Sequence, residues 1–301
     1  MSRQKKRKTA SLAKKGKGVV PSSSGSIRTP PSLSGDMAAA LAEAIGHHSA
    51  GCLDEAERLY RRIQKQAPDN PDVLHLLGYV AHQKGDSRRA VTLIRKSLTR
   101  QPDGIEATNN LGLALCSLGR LDEAEESFRK ALALSPDLAD LHNNLGSVLQ
   151  EKGALEEAES CVRRALELKP DFAEAWSNLG GILQETKRNR EAAEACGQAV
   201  ELNPYLPEAH NNLGLAFLAL KEWRKAEKHF NKAIGLKPDY AEAFNNLASL
   251  FSHSGRLDDA ESCLRRALEC RHDYAVAYAR LGNILKYRGN LDEAETVVRR
   301  A

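Results

Sequence analysis

The feature that most constrains this chain is a proline that recurs at a fixed spacing of 34 residues. These prolines are Pro68, Pro102, Pro136, Pro170, Pro204 and Pro238. A leucine–glycine pair and two alanines keep the same spacing in successive segments. A period of roughly 20 to 50 residues is typical of repeat architectures, in which neighbouring units bury a shared core. We therefore expect stacked units rather than one globular core.

Each 34-residue segment is predicted to be a pair of helices. In the segment 139–172, the first helix is expected over 139–152 and is broken by Gly153. The second is expected over 155–168, and it ends before Pro170 because a residue that precedes proline avoids the α conformation. Aromatic residues make up only 5% of the chain, so alanine and leucine must form most of the core. Small residues at fixed positions allow the two helices to approach closely.

This pattern resembles the tetratricopeptide repeat. The resemblance is carried by the Leu-Gly pair, the two alanines, the closing proline, and large residues at Phe128, Phe230, Trp176, Phe244 and Tyr278. It covers residues 37–301 and implies an all-α fold, a right-handed superhelical solenoid of helix-turn-helix units. It also implies that the first helix of each unit lines a concave inner face.

The repeats divide the chain into a tail and eight units. The predicted ranges are 1–36 for the tail, then 37–70, 71–104, 105–138, 139–172, 173–206, 207–240, 241–274 and a truncated 275–301. The first unit is atypical, since Glu43 and Ala44 replace its Leu-Gly pair. The last unit stops at Ala301 without a polar capping helix, which solenoids normally have. We expect the natural chain either to continue there or to self-associate through that end.

The basic charge of the chain belongs to its tail. Residues 1–36 hold nine Lys and Arg against one acid, which leaves 35 basic and 39 acidic residues for 37–301. The tail is predicted to be disordered and to attract nucleic acid or acidic surfaces weakly, whereas the repeats offer no nucleic-acid footprint. Its Lys5-Lys6-Arg7-Lys8 segment resembles a nuclear import signal, if the source is eukaryotic. The alternatives are a solvated leader without a fixed role and a translation start at Met37.

Several classes of function lack their sequence signatures. No apolar run is long enough for a membrane helix, and no secretory signal follows the basic start. The six cysteines form no CxxC pair, which favours reduced thiols in a cytoplasmic protein over a zinc site. There is also no P-loop, no GxGxxG motif that opens a helix and no GxSxG motif. We expect no catalytic residues, no metal and no cofactor within these 301 residues.

Asparagines recur two places before the repeat glycine, and we name this set the asparagine ladder. It comprises Asn110, Asn144, Asn178, Asn212 and Asn246. The residues immediately before them form the preceding row, whose asparagines we also predict to bind peptide; it comprises Asn109, Asn143, Ser177, Asn211 and Asn245. Asparagine disfavours helix interiors, so its recurrence in one register needs a reason.

Peptide recognition is one explanation for the ladder. A carboxamide offers donors and an acceptor, so it can bind a backbone amide in both directions. Packed helices lie about 8–10 Å apart and an extended peptide rises about 3.3 Å per residue, so each asparagine would meet every third peptide bond. The alternative is that these amides bond to the adjacent helix and hold the repeats in register.

The Asn-Asn-Leu-Gly motif resembles the repeat region of O-linked N-acetylglucosamine transferases. It is also similar to bacterial proteins that join such repeats to a sulfotransferase or glycosyltransferase domain. The resemblance implies that the ladder holds a substrate protein, although Leu76 and Arg280 depart from it at either end. The carboxylate clamp of other family members needs paired Lys and Arg, and only Arg280 and Lys286 suggest it.

Three functions stay open at this point. The first is a protein-binding scaffold whose groove takes extended peptides, and the second is the substrate-recruiting region of a larger transferase. The third is a nucleic-acid adaptor led by the tail. An acidic residue near the start of each first helix could tune the choice of peptide or could simply favour the helix dipole. This acidic row is Asp72, Glu106, Asp140, Glu174, Glu208 and Glu242.

Overall fold

The computed structural model describes residues 35–300, which form sixteen α-helices and no strand. The helices are α1 Gly35–Ser49, α2 Leu53–Gln66, α3 Pro71–Gln83, α4 Ser87–Arg100, α5 Ile105–Ser117, α6 Leu121–Leu134, α7 Ala139–Lys152, α8 Leu155–Leu168, α9 Ala173–Glu185, α10 Asn189–Leu202, α11 Pro207–Ala219, α12 Trp223–Leu236, α13 Ala241–His253, α14 Leu257–Cys270, α15 Ala275–Tyr287 and α16 Leu291–Val298. The predicted all-α helical repeat solenoid is thus confirmed. The predicted disordered tail lies outside the described residues, except that positions 35 and 36 begin α1.

The two helices expected between residues 139 and 168 have the bounds read from the sequence. Gly153 ends α7 with a φ of 82°, a left-handed conformation that glycine adopts without steric cost. The chain then turns directly into α8, so each repeat is a helical hairpin. The boundaries of the eight predicted units stay a prediction.

The chain divides into two compact halves after Lys169. The N-terminal half contains α1–α8, and the C-terminal half contains α9–α16. Within each half, the two helices of a hairpin pack together and each second helix also contacts the next hairpin. First helices of successive hairpins pack against one another as well, through α3, α5 and α7 in one half and α9, α11 and α13 in the other. In each half the first helices therefore form a continuous inner layer.

Close packing inside each hairpin depends on the repeat glycine. Gly112 lies against the ring of Phe128, which is completely buried between α5 and α6. A Cβ atom at Gly112 would stand 2.6 Å from two atoms of that ring, closer than any side chain tolerates. The glycine therefore sets the distance between the helices, and the aromatic ring fills the space it leaves.

Ion pairs between neighbouring second helices add to the stacking. Arg95 lies 2.6 Å from Glu123, and Arg129 lies 2.6 Å from Glu157. These charges are exposed, so each pair contributes only about 0–1 kcal/mol. Because each pair joins two neighbouring second helices, the pairs favour one register between hairpins.

None of the helices in the described range is long and apolar enough to cross a membrane.

Candidate functional site

The asparagine ladder lies on the inner layer of first helices. Its five members stand on α5, α7, α9, α11 and α13, one to each helix. Each is followed by the leucine and the small residue that pack inside the hairpin, so the position of the amide is fixed by that packing.

In the N-terminal half the ladder joins neighbouring hairpins. Asn144 donates through Nδ2 to Oδ1 of Asn109 at 2.9 Å. Asn110 donates through Nδ2 to Nε2 of His75 at 2.8 Å. Both bonds connect residues 35 apart, and all four side chains are buried. Here each amide reaches from its own hairpin to the preceding one.

The C-terminal half repeats this arrangement with a more open surface. Asn246 donates through Nδ2 to Oδ1 of Asn211 at 3.0 Å, and Asn212 donates through Nδ2 to Ser177, to its carbonyl at 3.1 Å and its hydroxyl at 3.2 Å. Asn178 is buried, whereas Asn212 and Asn246 are half-buried. Ladder amides in both halves thus bond to the preceding hairpin, and two members of the ladder also reach solvent.

The preceding row is buried in both halves, and it ends on an unsatisfied acceptor. Asn109, Asn143, Asn211 and Asn245 are at most 5% exposed. Oδ1 of Asn245 has no hydrogen-bond partner among the described residues. The donor expected from the next hairpin is replaced by Arg280, whose Nη1 donates to the Asn245 backbone carbonyl at 3.4 Å. The repeating amide pattern therefore stops at this position.

Residues three and seven places after the ladder define the accessible inner surface. Leu215 and Ser249 are half-buried and lie one helical turn beyond Asn212 and Asn246. Further along the same helices, His253 is exposed. The corresponding positions of the N-terminal half, Leu113 and Ser147, are 3% and 6% exposed. We name the surface on α11 and α13 the inner groove of the C-terminal half.

Sequence reasoning missed the groove residues beside the ladder. The repeat spacing places them at one position, which is occupied by Gly181, Leu215, Ser249 and Asn283. Because the residue type at this position changes from one repeat to the next, the sequence alone does not mark it as a binding position.

The acidic row forms ion pairs where a basic residue stands 29 places later. Glu208 lies 3.5 Å from Lys237, and Glu242 lies 2.6 Å from Arg271. At the other end of the row, burial raises the pKa of Asp72. Burial also raises the pKa of Glu106, and the neighbouring Asp72 charge adds to that effect. The row is therefore mixed, since Glu208 and Glu242 pair with cations whereas the pKa values of Asp72 and Glu106 are raised.

The ring nitrogens of residues at the aromatic position of the repeat bond to the backbone of the preceding turn. Nε2 of His142 hydrogen-bonds to the carbonyl of Pro136 at 2.7 Å, and Nε1 of Trp176 donates to the carbonyl of Pro170 at 2.9 Å. These bonds close the turn that precedes each first helix. Within residues 35–300 no group of three or more His, Cys, Asp and Glu side chains is arranged to hold a metal ion.

Comparison with known proteins gives the same repeat. Family profiles described as tetratricopeptide repeat match residues 41–104, 104–171, 171–239, 205–271 and 239–301. No curated protein sequence matches the chain.

Solved structures share the fold. A structure described as the APC/C hetero-tetramer Cut9-Hcn1 is similar at a TM-score of 0.70 and 19% identity, over 87% of this chain and 52% of that one. This chain therefore spans about half the length of that relative. The pilF protein of Pseudomonas aeruginosa is similar at a TM-score of 0.55 and 26% identity, over 66% of this chain and 90% of that one. Since the family profiles together match residues 41–301, the chain belongs to the tetratricopeptide repeat family.

Proposed function

We propose that this chain is a protein-interaction scaffold that binds an extended polypeptide segment along its asparagine ladder. Tetratricopeptide repeat proteins generally mediate protein–protein interactions. The observation that carries the proposal is the half-buried pair Asn212 and Asn246 in the inner groove of the C-terminal half. These two members of the ladder are the ones we expect to contact the ligand backbone.

The two asparagines keep hydrogen-bonding capacity after their contacts with the preceding hairpin. Asn212 uses Nδ2 for Ser177, and its Oδ1 has no partner within the described part of the chain. Asn246 uses one of its two Nδ2 hydrogens for Asn211. A peptide backbone could therefore donate an N–H to Asn212 and accept from Asn246 through a carbonyl.

The spacing suits a peptide that lies across the first helices. Packed helices are separated by about 8–10 Å, which is close to three residues of an extended chain. Contacts made only to the backbone give affinity with little sequence selectivity. Leu215 beside Asn212 and Ser249 beside Asn246 would add modest preferences for neighbouring side chains.

The buried members of the ladder have a supporting part in this proposal. Asn110, Asn144 and Asn178 are at most 5% exposed, so they cannot reach a ligand without rearrangement. Bonds such as the one from Asn144 to Asn109 keep successive first helices in register. A fixed register within each half lowers the entropy that its own first helices lose on binding.

A second candidate is the substrate-recruiting region of a larger glycosyltransferase or sulfotransferase. The Asn-Asn-Leu-Gly motif at residues 109–112 and 143–146 supports this candidate. The same groove would then hold the substrate protein for a catalytic domain encoded downstream. Reading the coding sequence after Ala301 tests this, because a stop codon at that point rejects the second candidate. A transferase domain there would favour it.

Peptide binding by the double variant N212A/N246A tests the scaffold proposal. The probe is a panel of unrelated, unstructured peptides of about 15 residues, measured by fluorescence anisotropy. Loss of two neutral hydrogen bonds, each contributing about 0.5–1.5 kcal/mol, should weaken binding roughly tenfold across the panel. The matched control is N231A, which removes an exposed asparagine from α12 and should leave affinity unchanged. If N212A/N246A lowers the melting temperature and leaves affinity intact, the amides are purely structural.

A further inference from the structure

The second helix α12 and the turn before it carry a row of exposed basic residues. At the position of Arg224, two other second helices also carry arginine, Arg88 and Arg190, and five carry an acid, Asp54, Asp122, Glu156, Asp258 and Asp292. We name four basic residues the basic strip: Lys221, Arg224, Lys228 and Lys232. They are three, four and four residues apart along α12 and the turn before it, which places them on one face.

The basic strip is exposed and has no carboxylate partner. All four side chains are exposed, and none lies within ion-pair distance of an acid in residues 35–300. The acids of α12 and its preceding turn are engaged elsewhere. Glu222 lies 2.5 Å from Lys225, and Glu227 lies 3.0 Å from Arg256. The strip therefore keeps its full positive charge.

Two features of this hairpin disfavour folding, and both increase its positive charge. Lys221 has a φ of 62°, in the left-handed region that a lysine side chain disfavours. The corresponding turns of six other hairpins use Gly51, Gly85, Gly119, Gly153, Gly255 and Gly289, and the turn before α10 uses Lys187, also with a φ of 62°. Arg224 stands in the first turn of α12, where the helix dipole favours an acid. The α10 hairpin shares both departures, through Lys187 and Arg190, but it carries Glu194 and Gln198 where α12 carries Lys228 and Lys232. Lys228 and Lys232 therefore distinguish the basic strip.

We propose that the basic strip docks an acidic segment of a partner polypeptide on the outer face of α12. Since the first helices pack against each other, α12 lies on the side away from the inner groove. Four residues of a helix rise about 6 Å, and alternate residues of an extended chain are separated by about 6.6 Å. Alternating acidic residues on an extended segment therefore match Arg224, Lys228 and Lys232. This surface is separate from the inner groove and acts independently of it.

Charge favours a short acidic segment over nucleic acid or an anionic membrane. Residues 37–301 carry 35 basic and 39 acidic side chains, so their net charge is −4. An extended polyanion would be repelled by this net negative surface over most of its length. A segment of a few residues contacts the strip alone.

The test measures binding of a fluorescein-labelled peptide of alternating Asp and Ser, about 13 residues long, to the full chain at low salt. R224D/K228S places at both positions residue types that other second helices use, as at Asp258 and Ser262. The variant removes two exposed charge contacts and adds one repulsive carboxylate, so it should weaken binding about tenfold. K221G copies the glycine of six other hairpins and should weaken binding about twofold while raising the melting temperature. Opposite effects on binding and stability separate docking from misfolding.

Two controls exclude other sources of affinity. The tail variant K5Q/K6Q/R7Q/K8Q and the groove variant N212A/N246A should both bind the acidic peptide within about twofold of the parent chain. The proposal is overturned if R224D/K228S binds unchanged, or if only the tail variant loses affinity. It is also overturned if single-stranded DNA or phosphatidylserine vesicles bind more tightly than the peptide and depend on the same two residues.

Discussion

At the scale of single residues, His75 couples the asparagine ladder to pH. Its Nε2 accepts the amide hydrogen of Asn110, so the ring must be neutral at that nitrogen. Burial lowers the pKa of His75 to about 4, with a smaller contribution from His48. The folded chain therefore excludes a proton that the unfolded chain binds below about pH 6.5.

Acid should consequently destabilise the N-terminal half. Stability contributed by neutral His75 is present above the unfolded pKa of about 6.5 and is lost as the pH falls towards 4. Between pH 6.5 and 5 this amounts to about 2 kcal/mol in the free energy of unfolding. Urea unfolding at the two pH values measures it.

The matched variant for this prediction is H75N. Asn109 occupies the same repeat position and accepts from Asn144 at 2.9 Å, so asparagine can replace the histidine as acceptor. The variant should unfold with a smaller dependence on pH than the parent chain. An unchanged dependence would assign the effect to other histidines, such as His229, whose pKa burial lowers to about 4.

The ladder also shows what a sequence can reveal about a residue. Its register and its place on the first helices follow from the 34-residue period. Its hydrogen bonds do not, because they join residues 35 apart, as between Asn144 and Asn109. That offset arises from how one hairpin stacks on the next. Complete burial of Asn110 and partial exposure of Asn212 likewise depend on packing that the period leaves open.

At the scale of helices, the repeat glycine governs the separation within a hairpin. G112A should lower the free energy of unfolding by about 1–3 kcal/mol, since its methyl group would overlap the Phe128 ring. Chemical denaturation measures the change. The control is G197A on α10, where no atom lies within 4 Å of the added carbon. That variant should be stabilised by about 0.5–1 kcal/mol because alanine favours the helix.

Helix bounds were the most predictable part of the fold. Gly153 and Pro170 mark the ends of α7 and α8, and both helices end where local chemistry requires. Such signals act within a few residues, so tertiary packing cannot override them easily. The basic strip was not predicted, because it is a departure from the repeat rather than a part of it. Its exposure and its lack of carboxylate partners depend on how α12 packs, which the repeat period does not determine.

At the scale of the whole molecule, the linear order of hairpins determines how instability spreads. Contacts within each half are made between neighbouring hairpins, so stability is close to a sum of local terms. The sequence predicted this organisation from the period alone. It could not predict the division after Lys169, since the repeat pattern continues across that residue without interruption.

Amide hydrogen exchange of G112A tests this linear organisation. Loss of packing between α5 and α6 should accelerate exchange about tenfold in these helices and in the adjacent α4 and α7. Helices α13 and α14 belong to the other half and should exchange at the rate of the parent chain. Uniform acceleration across α1–α16 would instead mean that the chain opens as one cooperative unit. Local acceleration is expected because each hairpin loses only the neighbours that it contacts.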